Sequence, residues 1–433
     1  MIGSEIERSI EEQKREGDFI YPFYEKYCFS NIPSTVSKLF NAGTARPTLP
    51  ADTYDRVEVR DVDKVVLLLV DGFGYDRWLR CLSNNELLKT LSQQGEVSPL
   101  TTVFPSTTAA ALTTLATGLT PQEHAVPEWF LYLREIDMIV ESVPFKPLGE
   151  KNQDRLAAMG VDPRILYQGD TMYEILGRSG VETFTFIHES IAHSAYSQLI
   201  HGGSNVVPFL SPAECVVRLR KTLEHERAPA HFYVYVGDVD SAAHKYGPYS
   251  EECEAEVSGW SRMLKTEFLD KVHQETASET LLIVTGDHGT IDIAPQETVY
   301  LNEYPGLTHA LLKGEGGAPI LPTGSPRDMF LHVEPSRIEE MQAFLSDRLG
   351  EKATVMKASE AIKAGLFGVS APRKEFYDRI GSLVVLPHSH HTVWYKHPKG
   401  KRFDALGYHG GLHREEMLIP FAIARLSDLA VSH

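Results

Sequence analysis

Lys64 to Gly74 reads KVVLLLVDGFG, an unbroken apolar run that ends in an aspartate and a glycine. Such a run without intervening polar positions is typical of a strand that is buried on both faces, as in a parallel sheet. A carboxylate directly after the strand lies at its carboxyl end, which is the edge where ligands bind in open α/β sheets. This stretch therefore predicts an α/β core with a ligand site beside Asp71.

Three further apolar runs of the same kind follow along the chain, and helical patterns separate them. The runs are Glu182 to Ile187, His231 to Val236 and Thr280 to Thr285, and the helical patterns include Ala213 to Leu223 and Glu251 to Val272. Alternation of strands and helices implies right-handed crossovers. We therefore predict an α/β fold with a doubly wound, mostly parallel sheet that is flanked by helices.

The rest of the chain divides into an N-terminal extension and an insertion. Residues 1–60 combine helical and aromatic segments and predict a helical extension, which could pack on the core or mediate a dimer. Gly and Pro cluster after Ala294, and the strand and helix patterns that follow predict an inserted, smaller α+β cap subdomain over residues 294–400. Residues 61–293 and 401–433 then form the core, with one more apolar strand near the C-terminus.

Composition excludes several classes of protein. The 433 residues include 42 Lys plus Arg and 59 Asp plus Glu, so the formal net charge is −17 and no nucleic-acid-binding surface is expected. The four cysteines show no CxxC spacing, which argues against a disulfide framework and a thiolate zinc site. The sequence shows neither a secretory signal nor an apolar run near the roughly 20 residues of a membrane span. A cytoplasmic protein is the expectation.

Acidic residues directly follow the predicted core strands. The acidic strand ends are Asp71, Asp238 with Asp240, and Asp287, which His288 follows. Because the carboxyl ends of parallel strands meet at one edge of a sheet, these side chains are expected to converge on one site. Carboxylates packed together repel one another unless a cation neutralises them. We therefore expect metal ions at this edge.

A hydroxyl-rich segment supplies candidates for a nucleophile. Phe104 to Thr108 reads FPSTT and precedes an Ala-rich helical stretch that Gly118 closes. A residue at a helix N-terminus lies beside free backbone N–H groups and the positive end of the helix dipole, where phosphate groups bind readily. Thr108, Thr107 and Ser106 compete for the role of nucleophile, and the hydroxyls not used are expected to cap the helix.

Five short motifs occur in an order that is similar to a known family. They are VDGFG around Asp71, FPSTT, DSAAHKYGP from Asp240, TGDHG from Thr285 and YHGG from Tyr408. Each motif alone is weak, but the ordered set resembles the alkaline phosphatase superfamily, and most of all its type I phosphodiesterase/nucleotide pyrophosphatase branch. The resemblance implies hydrolysis of phosphodiester or pyrophosphate bonds in nucleotides or related small phosphorylated molecules.

The same resemblance implies two metal sites and a covalent mechanism. It selects Thr108 as the nucleophile, which forms a phosphothreonine intermediate between two cations roughly 4 Å apart. Ligands without thiolate suit Zn²⁺, and Mn or Fe would also fit. One site would use Asp240, His244 and His409, and the other would use Asp71, Asp287 and His288 with the Thr108 oxygen.

Several polar neighbours of these residues receive other roles. Asp238 is expected to support a ligand or to cap a helix. His413 competes with His409, which is preferred because it opens the HGG match. The segment LPHSHHTVW in the insertion is expected to be a polar loop rather than a source of metal ligands. Its histidines are His388, His390 and His391.

The chain departs from the family pattern after the nucleophile. Nucleotide pyrophosphatases usually carry an Asn there that donates to a phosphate oxygen, and Trp129 stands at the corresponding position. Glu128 would repel a phosphate oxygen if it faced the site, whereas Trp129 could stack on a base or an aryl leaving group. Trp129 is therefore a candidate substrate-binding residue.

Other functions stay open at this point. A phosphonoacetate-type C–P hydrolase of the same superfamily also uses Thr, whereas a phosphomonoesterase or a phosphosugar mutase typically uses Ser. A metal- or nucleotide-binding module without turnover belongs to a different class, and the intact set of expected metal-site residues argues against it. The sequence leaves open the physiological substrate, the oligomeric state and whether the insertion closes over a ligand.

Overall fold

The core of the chain is a seven-stranded sheet, seen in a computed structural model that describes residues 4–14, 18–227, 229–398 and 403–429. The strands are β1 (Lys64–Val70), β2 (Glu96–Thr101), β3 (Phe130–Leu133), β4 (Met138–Glu141), β5 (Lys146–Pro147), β6 (Glu182–His188), β7 (Asn205–Phe209), β8 (Ala230–Val236), β9 (Thr280–Gly286), β10 (Ile291–Asp292), β11 (Val299–Tyr300), β12 (Thr323–Ser325), β13 (Asp328–Leu331), β14 (Ala353–Lys357), β15 (Leu383–Pro387), β16 (Val393–Trp394), β17 (Gly407–Tyr408) and β18 (Leu418–Arg425).

Helices lie between most of these strands, and a π-helical turn, Leu264–Leu269, extends α13. The α-helices are α1 (Ser4–Glu11), α2 (Ile32–Leu39), α3 (Tyr75–Leu82), α4 (Glu86–Gln94), α5 (Thr108–Thr117), α6 (Pro121–His124), α7 (Arg155–Ala158), α8 (Met172–Arg178), α9 (Glu189–Ala192), α10 (Ala195–Ile200), α11 (Pro212–His225), α12 (Asp238–Tyr246), α13 (Glu251–Met263), α14 (Gln274–Ser278), α15 (Leu307–Ala310), α16 (Ile338–Leu349), α17 (Ala358–Lys363), α18 (Lys374–Ile380), α19 (Arg414–Met417) and α20 (Leu426–Leu429).

The central sheet has the strand order β2-β18-β9-β1-β8-β6-β7. β1 lies in the middle and pairs in parallel with β8 and β9, while β18 runs antiparallel between β9 and β2. All seven residues of β1 are buried, as are all seven of β9, because helices and loops cover both faces of the sheet. The predicted α/β fold with a mostly parallel sheet flanked by helices is confirmed.

A second, four-stranded antiparallel sheet lies in the predicted insertion, in the order β12-β13-β15-β14. β13 shows how this sheet meets the core, because its side chains alternate between two apolar clusters. Met329 and Leu331 pack with α16 residues in a separate cluster, whereas Phe330 belongs to the main core. The predicted boundary between residues 400 and 401 lies outside the described residues.

The N-terminal segment packs on the core, which is one of the two roles left open by the sequence. Tyr24 is buried; its hydroxyl donates to the Leu366 carbonyl at 2.9 Å and accepts from the Phe104 N–H at 3.2 Å. The Thr101 N–H donates to the carbonyl of Tyr27 at 2.9 Å. These bonds join the segment to β2, to the loop before α5 and to Leu366 in the predicted insertion.

The structure shows the state of the cysteines and whether a described helix could span a membrane. The four cysteines are free thiols, and Cys28, Cys215 and Cys253 are buried. Among the described helices, none is both long and apolar enough to cross a membrane. The cellular location stays a prediction.

Candidate metal centre

The carboxyl ends of three neighbouring strands bring the predicted acids together. Val70 is paired with Val236 on one side and with Gly286 on the other, so β1, β8 and β9 end level with one another. Asp71 and Asp287 are the next residues after β1 and β9, and Asp240 lies in the first turn of α12 after β8. The parallel register therefore places these acids at one edge of the sheet.

Gly72 allows the β1 loop to approach α12. Its backbone has a φ of +68°, and a Cβ atom at this position would lie 2.9 Å from the Cβ of Asp240. Glycine alone adopts this conformation without a steric penalty and leaves room for Asp240. The Gly72 N–H also donates to Asp287 Oδ1 at 3.1 Å, which ties the loop to the end of β9.

Three histidines face the carboxylates through the same ring nitrogen. In each case Nδ1 lies within hydrogen-bond distance of a backbone carbonyl, which can only accept, so Nδ1 carries the proton and Nε2 keeps its lone pair. A backbone carbonyl that fixes the ring in this way is the usual support of a metal-binding histidine. The pairs are His244 with Gly407 at 2.8 Å, His288 with Gly289 at 3.0 Å and His409 with Ser106 at 2.9 Å.

Asp240 is the centre of the first candidate group. Its Oδ2 lies 3.2 Å from His244 Nε2, and its Oδ1 lies 3.7 Å from His409 Nε2. One ligand atom from each of the three residues lies within 4.8 Å of the others. Asp240 and His244 are a helical turn apart because α12 begins at Asp238, as the spacing predicted. This arrangement could hold one metal ion.

His288 is the centre of the second candidate group. Its Nε2 lies 3.3 Å from Asp71 Oδ1 and 3.3 Å from Asp287 Oδ2. Thr108 Oγ1 lies 3.2 Å from the same nitrogen. Ligand atoms of Asp71, Asp240 and His288 also lie within 4.8 Å of one another, so Asp240 belongs to both groups. The structure thus brings all seven predicted metal-site residues to one place.

Unpaired oxygen atoms show that this place fits cations. Asp71 Oδ1, Asp240 Oδ1 and Asp287 Oδ2 are buried and accept no hydrogen bond from the described residues. A buried acceptor without a partner is costly, and a divalent cation would satisfy all three. The donor set of carboxylate oxygens and imidazole nitrogens suits zinc and other first-row metals.

Burial and crowding shift the pKa values of these groups. Burial, together with the charges of Asp287 and Asp240, raises the pKa of Asp71 well above its usual range. Burial raises the pKa of Asp287 to about 7. Burial lowers the pKa of His288 to about 4 and that of His409 to about 3, so both rings are neutral near pH 7. Neutral imidazoles are the form that binds metal.

Asp240 behaves differently from the other two acids. Burial opposes its ionisation, but His244, His409 and His288 outweigh burial and lower the pKa of Asp240. The same contact with Asp240 outweighs burial at His244 and raises the pKa of that imidazole. Asp240 is therefore the acid that stays ionised most easily, in keeping with its position between the two groups.

Thr108 is the first residue of α5, and Thr107 is the N-cap. Thr107 Oγ1 accepts from the Ala110 N–H at 3.5 Å, so this hydroxyl caps the helix as expected. The expectation that Ser106 also caps the helix is wrong. Its Oγ donates to the Gly411 carbonyl at 2.8 Å and accepts from the Gly410 N–H at 3.0 Å, because the loop after His409 lies directly against it.

A cleft of about 510 Å³ opens beside these residues. Asp71, Thr108 and Asp240 line it at one end, and Trp129 lines it as well. Neither Lys nor Arg occurs among the residues that line it, and none of those residues lies in the predicted insertion, residues 294–400. The cleft is therefore aromatic, hydroxyl-rich and acidic.

Glu128 does not face this cleft. Its side chain is buried against Asp328 of β13, and burial raises the pKa of Glu128 to about 7. The concern that Glu128 repels a phosphate oxygen in the cleft is therefore not supported by its position.

The remaining predicted residues lie apart from the two groups. Asp238 accepts from Trp260 Nε1 at 2.9 Å and begins α12. His413 is the N-cap of α19. The histidines of the polar loop diverge, since His388 contacts Thr354 at 2.9 Å and His390 contacts the Asp292 carbonyl at 2.8 Å. Neither candidate metal group includes them or His391.

Several residues that support the predicted ligands were not identified from the sequence, because they lie at a distance from those ligands along the chain. Tyr235 donates to Asp71 from β8, where it reads as one more aromatic residue of a buried strand. Glu416 and Arg327 form a fully buried ion pair at 2.7 Å behind the loop that carries His409. Their sequence surroundings, REEM and SPRD, carry no signal that distinguishes them from surface charges.

Comparisons with known proteins identify the family and the fold. Residues 65–412 match the family described as type I phosphodiesterase / nucleotide pyrophosphatase. Murine ectonucleotide pyrophosphatase/phosphodiesterase 5, solved as an inactive variant in complex with AMP, superposes with a TM-score of 0.62 at 17% identity and covers 83% of this chain and 87% of that chain. At that identity the likeness shows the fold.

The curated relatives are distant in sequence, and this chain spans only part of their length. Venom phosphodiesterase CdcPDE of Crotalus durissus collilineatus is 23% identical over 55% of this chain and 28% of its own length. Ectonucleotide pyrophosphatase/phosphodiesterase family member 7 of Rattus norvegicus is 23% identical over 67% of this chain and 63% of its own length. The family match covers most of the chain and confirms the resemblance seen in the motifs. The chain belongs to the type I phosphodiesterase/nucleotide pyrophosphatase family.

Proposed function

We propose that the chain is a metal-dependent hydrolase that cleaves phosphodiester or pyrophosphate bonds in nucleotide-like molecules through a phosphothreonine at Thr108. One observation carries the proposal. Thr108 Oγ1, at the N-terminus of α5, lies 3.2 Å from His288 Nε2 and so adjoins the second group of ligand atoms, which shares Asp240 with the first. Family membership supports the reaction class, and the two-metal arrangement is part of the proposal.

Asp240, His244 and His409 would hold one cation, and Asp71, Asp287 and His288 would hold the other. Two bound cations, most simply Zn²⁺, supply charge neutralisation for the phosphoryl oxygens and favour deprotonation of a hydroxyl beside them. Mn²⁺ or iron would fit the same donor set.

Thr108 performs the covalent step in this proposal. Its Oγ1 gives its proton to solvent and attacks phosphorus in line, while the bond from phosphorus to the leaving oxygen breaks and that oxygen takes a proton from solvent. Water then attacks phosphorus, the bond from phosphorus to Thr108 Oγ1 breaks, and Oγ1 takes up a proton released by the attacking water, which restores the Thr108 hydroxyl and frees the phosphoryl product. The free N–H groups at the start of α5 stabilise the negative charge on phosphorus oxygens in both steps.

The cleft favours one kind of ester group. Its lining provides aromatic faces such as Trp129 and hydroxyl groups, and it provides no Lys or Arg. An uncharged nucleoside or aryl group matches this surface, whereas a further phosphate in the cleft would meet Asp238 without a compensating cation. AMP is the ligand of the solved murine relative, and a nucleoside monophosphate moiety is the substrate part that we propose here.

A chromogenic diester tests the proposal. Bis(p-nitrophenyl) phosphate should be hydrolysed faster than p-nitrophenyl phosphate, and chelation should abolish both activities. Thr108→Ala should lower the rate on the order of 10⁴-fold because the nucleophile is lost, while Thr108→Ser should retain part of it. Diester hydrolysis that is unchanged in Thr108→Ala would contradict the covalent mechanism.

The same assay separates the alternatives. Preference for the monoester would indicate a phosphomonoesterase, and turnover of phosphonoacetate alone would indicate a C–P hydrolase. Metal binding without turnover of any of the three compounds would indicate a binding module.

A further inference from the structure

The loop that carries His409, here called the His409 loop (residues 407–413), is held from behind by a buried carboxylate. Glu416 Oε1 accepts from the Gly411 N–H at 2.9 Å, and Glu416 Oε2 accepts from the His413 N–H at 3.2 Å. Its side chain is fully buried. Two main-chain groups of the His409 loop are therefore fixed by one side chain.

The main chain of Glu416 holds the second candidate group as well. Its carbonyl accepts from the Gly289 N–H at 2.9 Å, and Gly289 supplies the carbonyl that orients His288. A Cβ on Gly411 would lie 2.9 Å from Glu416 Oε2, so the loop and the carboxylate are in close contact. Glu416 thus contacts both the loop that carries His409 and Gly289, the residue that orients His288.

Arg327 supplies the charge that allows Glu416 to be buried. Its Nε donates to Oε1 at 2.9 Å and its Nη2 donates to Oε2 at 2.7 Å, a bidentate pair with both side chains fully buried. Arg327 lies in the turn that joins β12 to β13 of the second sheet. Its Nη1 also donates to the carbonyl of His391. A buried carboxylate without this partner would tend to bind a proton and lose its strength as an acceptor.

We propose that Arg327 and Glu416 are positioning residues, and that through them the second sheet fixes the geometry of the metal ligands. The inference rests on the proposed function, because it concerns the affinity of the proposed cation ligands. Neither residue lines the cleft, and neither belongs to a candidate metal group. They act through the His409 loop, whose Gly410 and Gly411 are held on the other side by Ser106.

The double variant Arg327→Met/Glu416→Leu tests this role without leaving a buried charge unpaired. Apolar replacement of both partners is often tolerated by the fold, so the full-length variant is expected to be folded. It loses the acceptors for Gly411 and His413, and we expect one of the two zinc ions to bind about 10- to 100-fold more weakly. Zinc affinity is measured by competition with a chromophoric chelator, with circular dichroism as a check of folding.

A second double variant isolates the hydrogen bonds. Arg327→Met/Glu416→Gln keeps an amide oxygen as an acceptor for the Gly411 N–H and should recover most of the zinc affinity. Arg379→Met is the matched control, because Arg379 is also buried in the insertion but donates to the carbonyls of Ala125, Ile165 and Leu166 instead. Its thermal stability should fall while zinc affinity stays unchanged.

The outcomes distinguish the two proposals. Absence of zinc binding by the unaltered chain would overturn the proposed function and this inference with it. Zinc binding by the unaltered chain with equal affinity in Arg327→Met/Glu416→Leu would overturn this inference alone. Weaker binding that Glu416→Gln does not recover, or that Arg379→Met reproduces, would also overturn it, since the effect would then follow loss of stability.

Discussion

His231 is buried in β8 among aromatic rings and has no hydrogen-bond partner for either ring nitrogen among the described residues. The ring of Tyr173 lies beside it, with 6.1 Å between the centroids. Burial lowers the pKa of His231 to about 3, compared with about 6.5 in an unfolded chain. Below pH 6.5 the unfolded state binds a proton that the folded state does not bind. The free energy of unfolding therefore falls as the pH decreases from 6.5 towards 3.

Replacing His231 removes this contribution. His231→Phe should reduce the loss of unfolding free energy between pH 6 and pH 4.5 by about 2 kcal/mol, since each proton contributes about 1.4 kcal/mol per pH unit. Urea denaturation at the two pH values measures the difference. His193→Phe, at an exposed position, is the control for the substitution itself. An unchanged pH dependence in His231→Phe would show that the folded state accepts the proton.

Trp129 offers a second test at the level of one side chain. If it stacks on the ester group in the cleft, Trp129→Ala should lower kcat/KM for an aryl or nucleoside diester by about 5- to 100-fold, because stacking contributes about 1–3 kcal/mol. Hydrolysis of a methyl ester of the same phosphoryl group should change much less. Tyr249→Ala, an exposed aromatic residue outside the cleft, is the control. Equal losses for the aryl and methyl esters would refute a stacking role.

The sequence predicted the position of residues that directly follow a strand or begin a helix. Asp71, Asp287 and Thr108 follow a strand or begin a helix, so their position is readable from the pattern beside them. Ser106 was misread as a capping residue because its partners, Gly410 and Gly411, lie about three hundred residues away along the chain. Support of this kind depends on tertiary contact, which a local pattern does not contain.

At the scale of elements, the close approach of the β1 loop to α12 depends on Gly72. Gly72→Ala should cost about 1–2 kcal/mol for the left-handed backbone conformation and should also displace Asp240. We expect zinc affinity to fall on the order of tenfold, measured by chelator competition. Gly177→Ala in α8 is the control, because a Cβ there meets no atom within 4 Å. It should raise stability slightly through better helix propensity.

The test depends on comparing the zinc affinity and the stability of Gly72→Ala with those of Gly177→Ala. If Gly72→Ala bound zinc as tightly as the unaltered chain, the tight approach of Gly72 to Asp240 would have no role in the metal site. A general loss of stability in both variants would point to the backbone alone.

Strand prediction succeeded in the interior of the sheet and failed at its edges. The four apolar runs correspond to β1, β6, β8 and β9, whose bounds differ from the predicted ones by about one residue. The edge strands β2 and β7 were not predicted. Pro99 and Pro208 interrupt their patterns, and edge strands tolerate proline because they do not need every N–H for pairing.

At the scale of the whole molecule, the acids that converge on the site couple metal binding to folding. The unfolded chain has no assembled set of these ligands, so cations bind the folded state preferentially. Zinc at about 1,000 times its dissociation constant should raise the free energy of unfolding by about 4 kcal/mol for one site. Thermal unfolding with zinc and with a chelator measures this effect.

Asp240→Asn provides the specific variant for this measurement. It removes a carboxylate that belongs to both candidate groups, so most of the zinc-dependent stabilisation should disappear. Without zinc, the variant should be somewhat less stable than the unaltered chain, because the contacts with His244, His409 and His288 that lower the pKa of Asp240 stabilise its ionised form in the folded state. Stabilisation of Asp240→Asn by zinc to the same extent as the unaltered chain would place the binding elsewhere.

The position of β18 sets the order in which the molecule can be assembled. β2 hydrogen-bonds in the sheet only to β18 among the described strands, although more than three hundred residues separate them. During synthesis, residues 96–101 therefore wait for residues 418–425 to leave the ribosome before they acquire their sheet partner. His409 and Glu416 emerge just before this strand, so the candidate metal centre assembles only after residues 409–425 have been synthesised.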